Sequence, residues 1–567
     1  MRWLCAALLL CAAVAQEAKP VESTAKPQSV AQTPQADRDS FTFVRYQLHV
    51  TLNPARGGFA ARGVIVLQND SAQPQTRAAL QISSSLKWAA IRSEDAALRF
   101  TSERVTHDID HTGAVNEAIV ELPAAVAPLQ TVELEVGYSG TISSDATRLT
   151  RIGMPAAMAA RSDWDTISDS ITAVRGVGHV VWYPVALQPA TLDDGNKVFR
   201  ALGVWRARHA GSRFRVTFTD ASGKMLITNG ERKSEVEPVY ELERMGLEGP
   251  FFVVGDFATL TTANGRVHHR PGREEAARKV GALLAQAEPV AASGKAQRAV
   301  VVELPTGWLS HENGPALLTP LTGLPDDVYQ QQFAHLVTHA SFYSHRPWIY
   351  EGLAHMAQAA ALEKQRGRKA ALDLLAKHVT PIALVAPQES GPGDARHSLI
   401  NATDEIYYRS KAMWVWWMLR EMVTEPVLRK ALAEYPISDR NPSAVQTLLE
   451  AATAKDLQWF FDDWVYRDRG LPDFRIVNVH PRETLRGTYI VTVTVENLGR
   501  AGAEVPIRIR LKNGEATGRL VVKGKSQASV RIEAAQYPLE VIVNDGSVLE
   551  FEADNNAFIV PEKPLTP

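Results

Sequence analysis

Apolar and polar residues alternate along the first part of the chain that carries a regular pattern. Tyr46, Leu48, Val50 and Leu52 are separated by polar residues, a period of two that is typical of a strand with one buried face. Similar runs follow at residues 63–68, 79–82, 118–122, 131–138, 214–219 and 251–254. Helical spacing is scarce before residue 272, so residues 39–265 are predicted to form an N-terminal antiparallel β domain.

From residue 274 the apolar residues recur at spacings of three and four, which favours helices. A short strand is predicted at 299–304. Helices are predicted around His335 and His339 and at 274–288, 351–366, 370–378, 404–423, 443–452 and 457–466. A loop rich in Pro and Gly occupies 387–397. Residues 266–471 are therefore predicted to form an α-rich domain.

Alternation returns beyond residue 472 in six or seven short runs, which predicts a C-terminal β-sandwich over residues 472–555 and a tail over 556–567. A chain of 567 residues exceeds what one hydrophobic core usually serves. The fold class predicted from these patterns is a multidomain α+β protein.

The N-terminus resembles a secretory signal. Arg2 precedes an apolar run over residues 3–14, and the sequence Ala-Val-Ala ends at Ala15. We therefore expect a signal peptide over 1–15, a disordered linker over 16–38, and export to a periplasm or to the extracellular space, two destinations that the sequence leaves open. No later apolar run reaches the roughly 18 residues of a membrane span, so no transmembrane segment is expected in the mature chain.

Composition narrows the chemistry further. The 61 Lys and Arg residues nearly balance the 63 Asp and Glu residues, which gives no electrostatic case for a nucleic-acid partner. Both cysteines, Cys5 and Cys11, lie in the predicted signal peptide. A metal site in the mature chain would therefore use only histidine and carboxylate ligands.

One such set stands in the sequence FAHLVTHASFYSHRPWIYEGLAH at residues 333–355. His335 and His339 are four residues apart in a predicted helix and therefore share one face. Glu351 lies near the start of the next helix, and two histidines with one carboxylate form the ligand set of a zinc hydrolase that keeps an open position. The usual motif is H-E-x-x-H, in which the Glu is the general base; Leu336 occupies that position here.

Three more blocks complete an ordered set: SHENG at 310–314, IYYRSKA at 406–412 and LQWFFDDWV at 457–465. In this order the blocks resemble the aminopeptidase N family of gluzincin zinc metallopeptidases. The resemblance implies a thermolysin-like domain over 266–471 and Zn²⁺ on His335, His339 and Glu351. It also implies a peptide partner with a free N-terminus. The substrate-binding residues it implies are Glu312, for the amino group, and Asn313; the implied oxyanion donor is Tyr408 or, as the weaker alternative, Tyr407.

Two departures from the pattern of that family leave two hypotheses for the function. Leu336 replaces the general base, and 11 residues separate His339 from Glu351 where the family pattern has 18. The first hypothesis is an exported zinc aminopeptidase with impaired turnover, and the second is an inactive relative that binds peptides or has a structural role. Asp404 and Glu405 are candidates either for a relocated base or for solvated helix-cap carboxylates. His345 and His355 are candidates for contacts near the metal.

Overall fold

A computed structural model describes residues 38–563 except 221, 293–296, 386–397, 437, 439 and 551. The predicted signal peptide (1–15), the predicted linker apart from its last residue, and the predicted loop at 387–397 lie outside the described residues. The described chain is a multidomain mixture of helices and sheets that begins with a β-rich region, as the alternation of apolar residues predicted.

The N-terminal region is organised around strand β1 (Phe41–Asn53), in which every second side chain is buried over residues 46–52. β1 pairs antiparallel with β2 (Gly58–Asn69) and parallel with β10 (Arg213–Asp220). The β1–β10 pair is a parallel exception in the predicted antiparallel domain, because the long connection between these strands lets them run in the same direction.

The other strands of this region complete an eight-stranded sheet, in the order β12-β13-β10-β1-β2-β8-β4-β5, and two three-stranded sheets, β3-β7-β6 and β11-β14-β9. Their bounds are β3 Gln75–Ser83, β4 Leu86–Ser93, β5 Ala96–Ala97, β6 Phe100–Thr106, β7 Ala114–Val126, β8 Thr131–Thr141, β9 Thr172–Val174, β11 Met225–Thr228, β12 Glu231–Arg232, β13 Val239–Leu242 and β14 Phe252–Gly255.

Three helices also lie in this region, where helical spacing had seemed scarce. They are α1 (Thr147–Arg151), α2 (Ala156–Ser162) and α3 (Lys197–His209). The buried residues of α3 include Val198, Leu202, Trp205 and His209, at spacings of four, three and four. This pattern was present in the sequence, but arginines at intervening positions broke the apolar run.

The middle region combines a five-stranded sheet with helices. The sheet order is β15-β16-β17-β19-β18, from β15 (Ala258–Thr261), β16 (Gly265–His269), β17 (Ala299–Glu303), β18 (His311–Asn313) and β19 (Ala316–Thr319). β15 and β16 form an antiparallel hairpin, which the boundary predicted at 265 would divide. The sheet of the middle region therefore begins at Ala258, before the predicted boundary.

The helices of this region contribute to two apolar clusters, one shared with the C-terminal region and one shared with the five-stranded sheet. Their bounds are α4 Glu274–Gln286, α5 Asp326–Ser341, α6 Pro347–Arg366, α7 Arg368–Ala376, α8 Val379–Val385, α9 Ala412–Val423, α10 Glu425–Ala433, α11 Ala444–Thr453 and α12 Gln458–Phe461, with π-helical turns at Tyr407–Lys411 and Asp462–Tyr466. Trp414, Trp416 and Trp417 of α9 are buried in the core. α8 and α10 were not predicted.

The C-terminal region consists of a three-stranded sheet, β20-β21-β24, and a four-stranded sheet, β23-β22-β25-β26. The strands are β20 Phe474–Glu483, β21 Tyr489–Asn497, β22 Ala503–Arg510, β23 Glu515–Val522, β24 Ser526–Ala534, β25 Glu540–Val543 and β26 Ala557–Ile559. β26 lies in the segment predicted as a tail, and it pairs with β25. The indole nitrogen of Trp464 donates a 2.7 Å hydrogen bond to the Gly502 carbonyl, which fixes this region to the helices. Among the described residues, no helix combines the length and the apolar character that crossing a membrane requires.

Candidate metal centre

Helices α5 and α6 carry the three predicted metal ligands. Asp326 and Asp327 occupy the first turn of α5, where carboxylates favour the positive end of the helix dipole. Pro347 is the first residue of α6, a position at which its missing N–H costs no helix hydrogen bond. Only residues 342–346 separate the two helices, so they pack side by side and present His339 and Glu351 to each other.

The donor atoms converge as the sequence predicted. His335, His339 and Glu351 each offer one ligand atom, and these atoms lie within 4.8 Å of one another. His339 Nε2 is 3.7 Å from Glu351 Oε1. Two ligands about 2.0–2.1 Å from a tetrahedral Zn²⁺ lie roughly 3.4 Å apart, so this separation is close to that of a bound pair. The shorter spacing of 11 residues therefore does not keep Glu351 from the histidines.

Burial sets the charge of these ligands. Desolvation lowers the pKa of His335 and of His339 well below the usual value, so both imidazoles are neutral and keep a lone pair for a metal. Glu351 is 1% exposed, and burial raises its pKa to about 8, although the nearby Arg409 acts in the opposite direction. Glu351 Oε1 has no hydrogen-bond partner among the described residues, and a bound cation would satisfy it.

The surroundings of the histidines differ from those of a typical zinc site. In such sites the second ring nitrogen of each ligand donates to a carboxylate or a carbonyl, which is worth about 10–100-fold in affinity. The Nδ1 atoms of His335 and His339 are buried and have no such acceptor within the described parts of the chain. His355 lies against Glu351, with 3.8 Å between Nε2 and Oε2, and its Nδ1 contacts Gln358.

Strand β18 brings Glu312 to the metal centre. Glu312 Oε2 is 3.5 Å from His335 Nε2, and the carboxylate keeps 31% of its side-chain surface exposed, so a ligand can reach it. Desolvation raises the pKa of Glu312 to about 7. The neighbouring Asn313 donates its amide to the Gly249 carbonyl at 3.1 Å and accepts from Asn229 at 2.9 Å. Its observed contacts fasten β18 to the N-terminal region, and contact with a substrate remains a prediction.

The π-helical turn at Tyr407–Lys411 separates the two candidate tyrosines. The Tyr407 hydroxyl accepts a 2.8 Å hydrogen bond from Lys411, which also pairs with Asp468 in the core. Tyr408 is buried and interacts electrostatically with Glu351; burial, followed by Glu405, raises its pKa well above the ordinary value. Tyr408 thus interacts electrostatically with Glu351, whereas the Tyr407 hydroxyl is bonded to Lys411; the role of Tyr408 in oxyanion stabilisation remains a prediction. π-turns within helices are frequent at functional sites.

The two acidic residues that precede the tyrosines are held by hydrogen bonds and ion pairs within the chain. Asp404 accepts hydrogen bonds from the backbone of Ile406 at 3.1 Å and of Tyr407 at 3.3 Å, which is the helix-cap geometry that the sequence offered as one alternative. Glu405 forms ion pairs with Arg206 at 3.0 Å and Arg409 at 2.5 Å. Neither carboxylate is free to serve as a relocated base in this arrangement.

Leu336 belongs to the hydrophobic core. Its side chain is 2% exposed and belongs to an apolar cluster that includes Val267 and Val301 of the underlying sheet. The position at which the usual motif places its general base is therefore occupied by a core residue.

A polar cavity of about 260 Å³ opens beside the ligands. It is lined by His179, Arg206, Glu248, Ser310, His311, Glu312, Gln332, Glu405 and Arg409. Sequence reasoning missed Glu248 and Arg409, which form a 2.9 Å ion pair. Arg409 could have been noticed because it directly follows Tyr408 and lies four residues after Glu405, whereas Glu248 belongs to no recognisable motif.

Comparisons with known proteins give a limited result. No protein-family model and no curated protein matches the sequence. Among solved structures, an M1 zinc metallopeptidase from Deinococcus radiodurans is 16% identical, with a TM-score of 0.45 over 76% of this chain and 95% of that one. A single-residue variant of that enzyme gives 16% identity, 76% and 96% coverage and a TM-score of 0.46. The same variant bound to a Tyr-Ser-Ala substrate is 16% identical, with a TM-score of 0.44 over 75% of this chain and 94% of that one. At these values the likeness does not establish a shared activity, and the function must be argued from the site.

Proposed function

We propose that the chain is an exported zinc metallopeptidase that removes N-terminal residues from peptides, with impaired turnover. The observation that carries the proposal is the buried convergence of His335, His339 and Glu351, in which two neutral imidazoles face a carboxylate oxygen that has no hydrogen-bond partner in the described structure. Export depends on the predicted signal peptide, and cleavage would give a mature chain that begins at Gln16.

Each residue of the site has a role under this proposal. When bound, zinc would supply a Lewis acid that polarises the peptide carbonyl and makes water more acidic. Glu312 borders both the cavity and His335, so its carboxylate can hold the substrate's α-ammonium group beside the metal. Tyr408, whose raised pKa keeps its phenol protonated, would donate a hydrogen bond to the oxygen on which negative charge develops.

Turnover should be slow because neither position 336 nor the two acidic residues before the tyrosines provides a general base, and Glu312 is taken up by the substrate's α-ammonium group. Leu336 lies in the core, Asp404 caps a helix, and Glu405 is held by two arginines. General acid–base assistance is typically worth about 10²–10⁴ in rate. We therefore expect a turnover number lower by roughly that factor than for a site with an intact H-E-x-x-H motif.

The second candidate is a protein that binds peptides without hydrolysing them. The burial of Leu336 favours it, because the side chain at this position contributes to packing and not to proton transfer. Zinc binding and recognition of the α-ammonium group would both persist under this alternative. The two candidates therefore differ only in whether the peptide bond is broken.

The test uses the full mature protein. Zinc content is measured after dialysis, and hydrolysis of an aminoacyl p-nitroanilide is compared for wild type, Glu312→Gln and His339→Ala, all purified in parallel. The proposal expects one zinc per chain, activity above that of His339→Ala, and a higher KM for Glu312→Gln. An N-acetylated substrate, which lacks the α-ammonium group, should not be cleaved.

Two results would decide against the proposal. If wild type and His339→Ala contain equal amounts of zinc, the proposed metal site is refuted. One zinc per chain with hydrolysis no faster than in His339→Ala would favour the second candidate, provided that an N-terminally labelled peptide binds and that Glu312→Gln weakens this binding.

A further inference from the structure

A fixed positive charge lies beside the metal ligands. Arg409 Nε is 3.4 Å from Glu351 Oε2, while the two terminal nitrogens of the guanidinium contact Glu248 at 2.9 Å and Glu405 at 2.5 Å. The contact with Glu351 lacks hydrogen-bond geometry, since Nε has no hydrogen-bond acceptor in the described structure. Arg409 therefore interacts with three carboxylates, and it contacts the presumed metal ligand Glu351 most loosely.

The charges around the cavity make this contact consequential. Glu248, Glu312, Glu351 and Glu405 supply four carboxylates, and Arg206 and Arg409 supply two guanidiniums. Above about pH 8, where all of these groups are ionised, two negative charges remain, which equals the charge that one Zn²⁺ would neutralise. Without Arg409 the same cavity would hold three uncompensated negative charges. The arginine thus carries part of the positive charge that the carboxylates require.

We propose that Arg409 is a built-in competitor of the metal, which holds the charge of Glu351 when no ion is bound and lowers the affinity of the site for zinc. This inference rests on the zinc site proposed above. A guanidinium does not lose its proton in a protein, so its charge persists when the ion enters. The shorter pairs with Glu248 and Glu405 hold it near the ion even when Glu351 turns to the metal.

The consequence is a site that loads only at raised zinc concentration. Like charges a few ångströms apart in a partly buried site repel strongly, because little water screens them. The Nδ1 atoms of His335 and His339 act in the same direction, because no acceptor among the described residues strengthens those ligands. The effect of Arg409 on zinc affinity can be removed by one substitution that leaves all three proposed ligands unchanged.

The experiment measures zinc affinity by competition with a fluorescent chelator for the full mature protein. Arg409→Gln should bind zinc at least about tenfold more tightly than wild type, and Arg409→Lys, which keeps the charge, should stay within about threefold. Without zinc, Arg409→Gln should melt at a lower temperature than wild type, because Glu248, Glu351 and Glu405 lose their shared cation. Saturating zinc should raise its melting temperature by more than that of wild type.

Each other outcome has a defined meaning. Unchanged or weaker zinc binding by a folded Arg409→Gln variant would overturn the inference. If this variant folds only with zinc, the inference is supported, since the metal then replaces the guanidinium; failure to fold even with zinc would overturn it. Equal zinc binding by wild type and His339→Ala would instead refute the zinc site itself, so the two failures can be told apart.

Discussion

The protonation of Glu351 should control zinc binding between pH 6 and pH 8. Burial raises the pKa of this carboxyl from 4.5 to about 8, so at pH 6 only about one molecule in a hundred has the ionised ligand. Zinc must displace that proton, so the apparent affinity should rise about ninefold from pH 6 to pH 7 and about 50-fold from pH 6 to pH 8, and should level off at higher pH. The pKa of Glu312, about 7, adds an effect of the same sign.

The stability of the zinc-free protein should change in the opposite direction. The folded state binds more protons than the unfolded state wherever the pH lies between 4.5 and about 8, because the pKa of Glu351 is raised on folding. Folding stability from this group is therefore full at low pH and is lost as the pH rises through that window. Zinc-loaded protein should not show this loss, since the ion keeps the carboxylate paired.

Calorimetric titration with zinc in two buffers of different ionisation enthalpy measures both affinity and proton release. We expect nearly one proton released per zinc from Glu351 at pH 6 and about half of one at pH 8. Glu351→Gln is the control: it should bind zinc more weakly and without the steep dependence on pH. Affinity that stays constant from pH 6 to pH 8 in wild type, or uptake of protons, would refute the reasoning.

Three further predictions concern the residues around the site. Leu336→Ala should lower the free energy of unfolding in urea by about 2–5 kcal/mol with zinc affinity unchanged, because the side chain fills the core; a large loss of zinc affinity would contradict this placement. Lys411→Met should lower the free energy of unfolding by about 3–5 kcal/mol in the same assay, because Asp468 is then buried without its cation. The double variant with Asp468→Asn should recover much of this loss of stability. Equal losses for the single and double variants would exclude the Lys411–Asp468 pair as the cause. Tyr408→Phe should lower kcat about 100-fold at unchanged zinc affinity, whereas Tyr407→Phe should leave kcat nearly unchanged, and the reverse result would exchange their roles.

The sequence by itself determined the features that depend on neighbouring residues along the chain. The four-residue spacing of His335 and His339 fixes a common helix face, and the sequence alone shows that Leu336 stands where the usual motif has its general base. The alternation around Tyr46 gave β1, and the apolar spacings after residue 274 gave most of the helices of the middle region. These features follow from local backbone geometry, so a linear pattern records them.

Only the tertiary structure decided how distant segments meet. The parallel pairing of β1 with β10 and the extension of the middle sheet to Ala258 depend on contacts that no local pattern encodes. The same holds for the site: the Tyr407 hydroxyl bonds to Lys411, which pairs with Asp468, a residue 57 positions further along the chain. Arg409 meets Glu248 across 161 positions of sequence, and a contact at that separation appears only when the chain is folded.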